Sequence, residues 1–287
     1  MQVLYLVLIV VGIILQNVAK KAYALKASGG GAFTFSLVSV LCALLFFVFS
    51  GGFNYDFRLE VLPYSVGFAV SYGAAVVGAF YAIKFGSLSL SSLISNYSLL
   101  LPTLFGILFL NEQISITLCI GIAVLMVSLF LVNYKPSGAE KRDRVDPRWF
   151  VCIAISFLGN GACSTVQVLQ QKNFNGNMKS EFMIMALAIV AAILAFAVLV
   201  LERRDFVSSI KRGGLYMLVN GGFNGATNLF VMLSVALLPA SVMYPIISAG
   251  GIIGTATVSV LFYRERLTAM QYVGFVLGIG AIVLLNL

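Results

Sequence analysis

The sequence contains no histidine, only four cysteines and few charged residues. Charged residues make up 10% of the 287 positions, whereas a soluble domain carries about 25%, so this composition excludes a water-soluble globule. The small number of cysteines excludes a disulfide-rich secreted fold. Without histidine the chain lacks the usual general base and the commonest metal ligand. We therefore predict no catalytic residues, no metal site and no cofactor.

Apolar residues dominate the sequence, at 61% of the chain and a mean hydropathy of +1.03. Nine runs without Asp, Glu, Lys or Arg are 19 to 51 residues long. A membrane-spanning helix needs about 20 residues, so eight of these runs hold one helix each. The run of 51 residues, 213–263, holds two helices because Pro239 interrupts it near the middle. The sequence therefore predicts an all-α multi-pass membrane protein with ten transmembrane helices.

Lysine and arginine are concentrated on one side of the predicted spans. Fifteen of the 18 basic residues lie in loops that follow odd-numbered spans. By the positive-inside rule these loops are cytoplasmic and both termini lie outside. The same bias accounts for the net charge of +8 without a nucleic-acid partner. We expect a monomer in the plasma membrane, with the lipid bilayer and a small-molecule substrate as its partners.

Two segments of the chain, separated by 153 residues, resemble each other. Residues 109–133 and 262–286 share five identities over 25 aligned positions. This offset joins the end of span five to the end of span ten, so each half holds five helices and the second half enters the membrane inverted. We predict a first repeat over residues 1–134, a charged linker over 135–147 and a second repeat over 148–287. Inverted repeats are typical of carriers, whose ligand site lies at the repeat interface.

Polar residues inside the spans recur at helical spacing. Asn220, Asn224 and Asn228 are four residues apart and thus share one face of the eighth span. Hydrogen bonds between membrane helices contribute about 0.6 kcal/mol each on average, and helix packing is one interpretation of such residues. Three amides on one face exceed what packing requires, which favours a polar cavity. The predicted substrate-binding residues are Gln16, Asn17, Tyr72, Tyr81, Asn96, Asn160, Gln167, Asn220, Asn224, Asn228, Tyr244 and Ser248.

Several short stretches resemble a known family. They are Gly12, Asn17 and Lys20 in the first span, residues 80–87 (FYAIKFGS), residues 100–102 (LLP) and residues 109–115 (FLNEQIS). Here the sequence resembles the ten-helix drug/metabolite transporter superfamily, of the amino-acid and metabolite exporter type with two copies of a five-helix domain. The resemblance implies a central cavity lined by spans 1, 3, 4, 6, 8 and 9, and alternating access. It also implies termini on the inside, opposite to the charge count.

The positions of the acidic residues bear on the mechanism. All ten carboxylates lie in loops or at span ends, whereas proton-coupled carriers usually keep a titratable group within the membrane. The small multidrug relatives in this superfamily use a glutamate in their first helix, where this chain has Gln16 and Asn17. Lys20 or Lys84 could add a partner for a substrate carboxylate, or extend toward the membrane interface.

The sequence therefore predicts a secondary transporter, not an enzyme, that moves a small neutral or zwitterionic, amino-acid-like metabolite. An exporter of organic cations or drugs from the same superfamily and a membrane assembly protein without transport activity are the alternatives.

Glu112 and Glu265 each lie in a turn before a predicted helix, which favours a structural role over a catalytic or coupling role. Ser115 can cap the fifth span, and Thr268 with Gln271 fits a capping box for the tenth.

Overall fold

The computed structural model describes residues 2–27, 31–85, 94, 97–112, 115–133, 146–263 and 268–285. These residues form ten helices and no strands, as expected when apolar runs must satisfy their own backbone hydrogen bonds. The helices are α1 Gln2–Ala27, α2 Ala32–Ser50, α3 Leu62–Phe85, α4 Leu100–Phe109, α5 Ile116–Asn133, α6 Pro147–Asn173, α7 Lys179–Ala197, α8 Phe206–Val235, α9 Ala240–Tyr263 and α10 Ala269–Leu285. A 3₁₀ turn, Leu59–Val61, leads into α3, and a π-helical turn, Val198–Glu202, continues α7.

Five helical segments of the described chain are long and apolar enough to cross a membrane. They are Gln2–Lys26, Ala32–Ser50, Leu59–Ala82, Pro147–Asn173 and Lys179–Glu202. Four apolar segments are shorter, namely Leu100–Phe109, Ile116–Ser128, Ala240–Thr255 and Ala269–Ala281. Helix α8 has 30 residues, but its basic second turn and its asparagines lower its hydropathy. A multi-pass helical membrane protein is thus confirmed, and the full count of ten spans remains a prediction.

The long uncharged run divides at the position that its proline predicts. Helix α8 ends at Val235 and α9 begins at Ala240, directly after Pro239. The backbone N–H groups of Val242 and Met243 donate to the Pro239 oxygen at 3.2 and 3.0 Å, which starts the new helix. A second proline, Pro245, lies inside α9 and was not part of the prediction.

The predicted helix caps are present at α5 and α10. The Ser115 hydroxyl accepts the N–H of Leu118 at 3.0 Å, at the start of α5. The Thr268 N–H donates to Gln271 Oε1 at 2.9 Å, and the Gln271 N–H donates to Thr268 Oγ1 at 3.4 Å. This reciprocal pair is the capping box that the sequence predicts.

The helices group into two compact units, which we describe separately. The first unit comprises Met1–Gly73 and Val166–Leu237, and the second comprises Ala74–Thr165 and Leu238–Leu287. In the first unit α8 packs against α1 and α2, and α2 packs against α7. In the second unit α9 packs against α4, α5 and α10, and α10 packs against α5. Each unit takes residues from both halves of the sequence, so the inverted repeat and its boundaries remain predictions.

In the first unit a buried carboxylate caps helix α2. Glu202, which is 8% exposed, accepts the backbone N–H groups of Phe33 and Thr34 at 3.0 and 2.8 Å. It also accepts the Thr34 hydroxyl at 2.8 Å. A helix N-terminus carries partial positive charge, which favours a carboxylate there. Glu202 thus connects the end of α7 to the start of α2.

In the second unit Glu112 has the same role at helix α9. Its two carboxylate oxygens accept the backbone N–H groups of Ala240 and Ser241 at 2.9 and 2.8 Å. Gly106 leaves room for this contact, because a Cβ at that position would lie 2.6 Å from Glu112 Oε2. The structural role predicted for Glu112 is confirmed, and the structure adds that this carboxylate caps α9. Glu265 lies outside the described residues.

Candidate substrate-binding site

The first unit contains a continuous chain of hydrogen-bonded amide side chains. Gln167 Nε2 of α6 donates to Asn228 Oδ1 of α8 at 2.8 Å. Asn228 Nδ2 donates to Asn224 Oδ1 at 3.2 Å, and Asn224 Nδ2 donates to Gln16 Oε1 of α1 at 3.0 Å. Gln16 Nε2 donates in turn to Thr227 Oγ1 at 3.0 Å. We call these five side chains the amide cluster; they connect α1, α6 and α8.

Helical spacing and a close approach of two helices bring the amide cluster together. Asn224 and Asn228 are one turn apart on α8, and Asn228 Nδ2 also donates to the Asn224 backbone oxygen at 2.9 Å. On α1, Gln16 Nε2 also donates to the Gly12 oxygen at 3.2 Å. A Cβ at Gly12 would lie 2.2 Å from Thr227 Oγ1. Glycine at this position therefore lets α1 approach α8, as small residues do in membrane helix packing.

The amide cluster is buried at its ends and more open at its centre. Gln16, Gln167 and Thr227 are 6%, 4% and 8% exposed, whereas Asn224 and Asn228 are half-buried. An amide carries two N–H donors and an oxygen with two lone pairs. The Asn224 amide gives one N–H to Gln16 and accepts one from Asn228. It therefore keeps donor and acceptor capacity at the more exposed part of the cluster.

Three other predicted residues lie in the first unit. Asn220 is one turn before Asn224 on α8 and 5% exposed, and its Oδ1 has no hydrogen-bond partner. Asn17 is half-buried on α1, next to Gln16. Tyr72 is half-buried on α3, and its ring stacks on that of Phe68 with 6.0 Å between centroids. The periodicity of α8 thus places Asn220 near the amide cluster but does not join its oxygen to it.

In the second unit two of the predicted residues form single hydrogen bonds. Asn160 Nδ2 of α6 donates to the Oγ of Ser98 at 3.1 Å, and Ser98 is fully buried. The Tyr244 hydroxyl of α9 donates to the Ser164 backbone oxygen at 3.2 Å, and Tyr244 is 2% exposed. Isolated bonds of this kind are also common where membrane helices merely pack.

Three predicted residues remain, on or near α3, α4 and α9. Ser248 is buried on α9. Tyr81 is half-buried on α3, and its ring stacks on that of Phe85 with 6.0 Å between centroids. Asn96 lies outside the described residues.

The second half of the chain matches a known family. The sequence pattern that defines the EamA-like transporter family matches residues 150–287. Residues 150–287 belong to the EamA-like transporter family. This family lies within the drug/metabolite transporter superfamily, so the predicted resemblance to that superfamily is confirmed, and the ten-helix arrangement with two copies of a five-helix domain stays a prediction. It is a family of membrane transporters and not an enzyme family. The matched residues include α8 and Gln167, and hence most of the amide cluster.

Solved structures show that the chain has a known fold. A protein crystal structure superimposes with a TM-score of 0.75 over 99% of this chain and 95% of its own length. The two sequences are 12% identical, so the likeness indicates a shared fold and nothing further. No curated protein matches the chain significantly.

A cavity of about 230 Å³ lies elsewhere in the first unit, at the loop between α6 and α7. Its polar lining includes Asn54, Tyr55, Asn177, Lys179 and Glu181. None of the predicted substrate-binding residues lines this cavity. From α8 it is lined by Leu229, the residue after Asn228. The polar pattern inside the predicted spans does not indicate this cavity, because its polar lining lies in loops and at helix ends.

Sequence analysis also missed Thr227, a member of the amide cluster. The signal was available, because Thr227 follows Asn224 by three residues and therefore lies on a neighbouring part of the same helical face. What the sequence did not supply was its partner, Gln16, which is 211 residues away in the chain.

Proposed function

We propose that this EamA-like transporter moves a small, polar, neutral or zwitterionic metabolite of amino-acid type by alternating access, and that the amide cluster binds it. One observation carries the proposal: the hydrogen-bonded chain of amides that connects α1, α6 and α8 among otherwise apolar helices. Helix packing alone needs no more than single hydrogen bonds between helices. A connected chain with a half-buried centre offers a solute several donors and acceptors at once.

The chemistry of the amide cluster suits a solute without net charge. Amides supply both donors and acceptors and carry no charge of their own. Each hydrogen bond contributes about 0.5–1.5 kcal/mol net, so four such bonds contribute at most about 6 kcal/mol. That corresponds to a dissociation constant of about 40 μM at the tightest. Binding of this strength suits a carrier, which must also release its solute.

Close helix contacts support movement during alternating access. A Cβ at Gly221 of α8 would lie 2.4 Å from the Ser39 oxygen of α2, and one at Gly225 would lie 2.8 Å from the Phe46 ring. Glycine thus provides a smooth surface on α8 against α2. Packed helices with such surfaces suit the small sliding motions by which many proteins open and close.

The arrangement of carboxylates argues against the alternative of an organic-cation exporter. A carboxylate at the site favours binding of a cation, yet Glu202 and Glu112 use their oxygens to cap α2 and α9. Within the described residues no carboxylate is hydrogen-bonded to the amide cluster. The neutral or zwitterionic solute therefore remains the better-supported class.

Counterflow in proteoliposomes tests the proposal. Full-length protein is reconstituted and loaded with unlabelled solute, and uptake of the labelled form is measured for panels of amino acids, sugars and nucleosides. We expect saturable counterflow for one class of polar solute. We also expect that Asn224→Leu reduces it more than tenfold, because this change removes the central amide of the cluster. Flux that never saturates would instead indicate a channel.

Asn173→Leu is the matched control for Asn224→Leu. Asn173 lies at the end of α6, outside the amide cluster, and its amide donates to the Tyr64 hydroxyl at 2.5 Å. The two variants lose the same chemical group and a comparable hydrogen bond, so a general effect on folding would appear in both. If a folded, monodisperse Asn224→Leu protein transports as the wild type does, the amide cluster is not the site.

A further inference from the structure

Lys20 extends the polar face of α1 by one turn beyond the amide cluster. It follows Gln16 by four residues, so the two side chains lie on nearly the same side of the helix. Lys20 lies within the apolar span Gln2–Lys26, and its side chain is exposed. A charged side chain inside a membrane span is costly and usually serves a function with an opposite charge as partner.

The described part of the chain does not supply that partner. Lys20 has no ion pair or hydrogen bond among the described residues. Glu202, the buried carboxylate of the first unit, is fully engaged by the N-terminus of α2. A bound molecule with a negative charge can therefore pair with Lys20.

The contacts between α1 and α8 show what lies opposite Lys20. Gln2 donates to the Leu237 oxygen at 3.3 Å at one end, and near the other end a Cβ at Gly213 would lie 2.2 Å from the Tyr23 ring. The two helices are therefore antiparallel. Since Gln16 bonds to Asn224 and Thr227, Lys20 lies level with the next turn of α8.

That next turn of α8 carries Asn220. Its side chain is 5% exposed, and its Oδ1 has no donor. A buried amide oxygen without a hydrogen bond costs about 1–3 kcal/mol. One level of the first unit thus contains an ammonium group without a carboxylate and an amide oxygen without a donor.

We propose that Lys20 binds the carboxylate of the transported solute and that Asn220 accepts a hydrogen bond from its amino group. This inference rests on the proposed function and narrows the substrate class to zwitterions of the amino-acid type. A simple carboxylate satisfies Lys20 only, because it has no donor for Asn220 Oδ1. An α-amino acid supplies both groups on adjacent atoms, and its remainder extends toward Asn224.

Binding of amino acids and of their carboxamides to purified full-length protein in phosphatidylcholine nanodiscs tests the proposal. The carboxamide keeps the amino group and the side chain but lacks the carboxylate. We expect an amino acid to bind the wild type at least tenfold more tightly than its carboxamide. In Lys20→Gln we expect the amino acid to lose at least tenfold in affinity, so that the two ligands bind alike. Lys20→Arg keeps the charge and should keep most of the affinity.

Lys21→Gln is the matched control, because it removes the same charge from the adjacent position, which points to a different side of α1. We expect it to bind amino acids as the wild type does. Equal losses in Lys20→Gln and Lys21→Gln would overturn the proposal, as would equal binding of the acid and its carboxamide by the wild type.

Three further outcomes separate this inference from the proposed function. If only uncharged solutes such as sugars or nucleosides bind, and Asn224→Leu abolishes their binding, the amide cluster is the site and the role of Lys20 is wrong. The same measurements in nanodiscs that contain anionic phosphatidylglycerol test for a lipid contact. If Lys20→Gln changes only the binding of this lipid and leaves the affinity for amino acids unchanged, Lys20 is a lipid contact and the proposal fails. If no solute of any class binds, the proposed function itself fails.

Discussion

The two compact units use their polar side chains in different ways. In the first unit, the amides of Gln167, Asn228, Asn224 and Gln16 bond to one another in sequence. Among the described residues of the second, Tyr244 bonds to a backbone oxygen at 3.2 Å, and Ser128 bonds to the Gly274 oxygen at 2.6 Å. A single bond to a backbone oxygen fixes two helices together and leaves little to offer a solute. A connected chain of amides keeps unused donors and acceptors.

This difference separates two interpretations that the sequence alone leaves open. Polar residues at helical spacing are expected both for helix packing and for a binding site. The partner of each side chain distinguishes them: the backbone or an isolated hydroxyl indicates packing, and another amide with spare capacity indicates a site. By this criterion the first unit contains the better candidate site.

Two amides on the same helix provide the strongest test of this comparison. Gln167 and Asn160 lie on α6, seven residues apart, but Gln167 belongs to the amide cluster whereas Asn160 bonds to Ser98 alone. We expect Gln167→Leu to reduce counterflow at least tenfold and Asn160→Leu to reduce it less than threefold. Initial rates over a range of solute concentrations in proteoliposomes measure both. Equal losses would mean that a single bond and a cluster are equivalent, and the comparison would fail.

The carboxylate caps provide a second comparison, in stability. Glu202 receives three hydrogen bonds in the first unit, and Glu112 receives two in the second. Since a hydrogen bond to a charged group contributes about 1.5–3 kcal/mol and a helix cap about 1 kcal/mol, we expect Glu202→Ala to cost about 3 kcal/mol of unfolding free energy. By the same reasoning we expect about 2 kcal/mol for Glu112→Ala.

Unfolding in mixed detergent micelles measures these free energies. Glu60→Ala is the control, since Glu60 is an exposed carboxylate in the first turn of a 3₁₀ helix and should change stability by less than about 0.5 kcal/mol. A loss no larger for Glu202 than for Glu60 would show that the buried carboxylate does not hold α2.

The features that the sequence predicted correctly depend on neighbouring residues. Pro239 separates α8 from α9 because it cannot continue a helix. The box of Thr268 and Gln271 forms because its groups are three residues apart. For the same reason the spacing of Asn224 and Asn228 correctly predicted that they share a face.

The features that escaped prediction depend on contacts between distant parts of the chain. Gln16 and Asn224 are 208 residues apart, and Glu202 lies 169 residues from Phe33. No local pattern specifies these pairs, because they form only when whole helices pack. Helical periodicity also predicted the same role for Asn220 as for Asn224, whereas in the structure Asn220 Oδ1 has no hydrogen-bond partner. Orientation remains a prediction, since charge bias places the termini outside and the family habit places them inside.

Glycines of the first unit provide the smallest and most local test. A Cβ at Gly12 would lie 2.2 Å from Thr227 Oγ1, whereas one at Gly222 of α8 would meet no atom within 4 Å. Overpacking costs about 1–3 kcal/mol, so we expect Gly12→Ala to lower the unfolding free energy by that amount. We also expect it to weaken solute binding, because it forces α1, which carries Gln16, away from α8.

Gly222→Ala serves as the matched control for Gly12→Ala. It should be neutral or stabilise the protein by up to about 1 kcal/mol, since alanine favours a helix more than glycine does. The two substitutions add the same methyl group to membrane helices of one unit. A difference between them therefore reports the closeness of α1 to α8 at Gln16. If both variants bind solute as the wild type does, solute binding by the amide cluster does not depend on the close approach of α1 to α8.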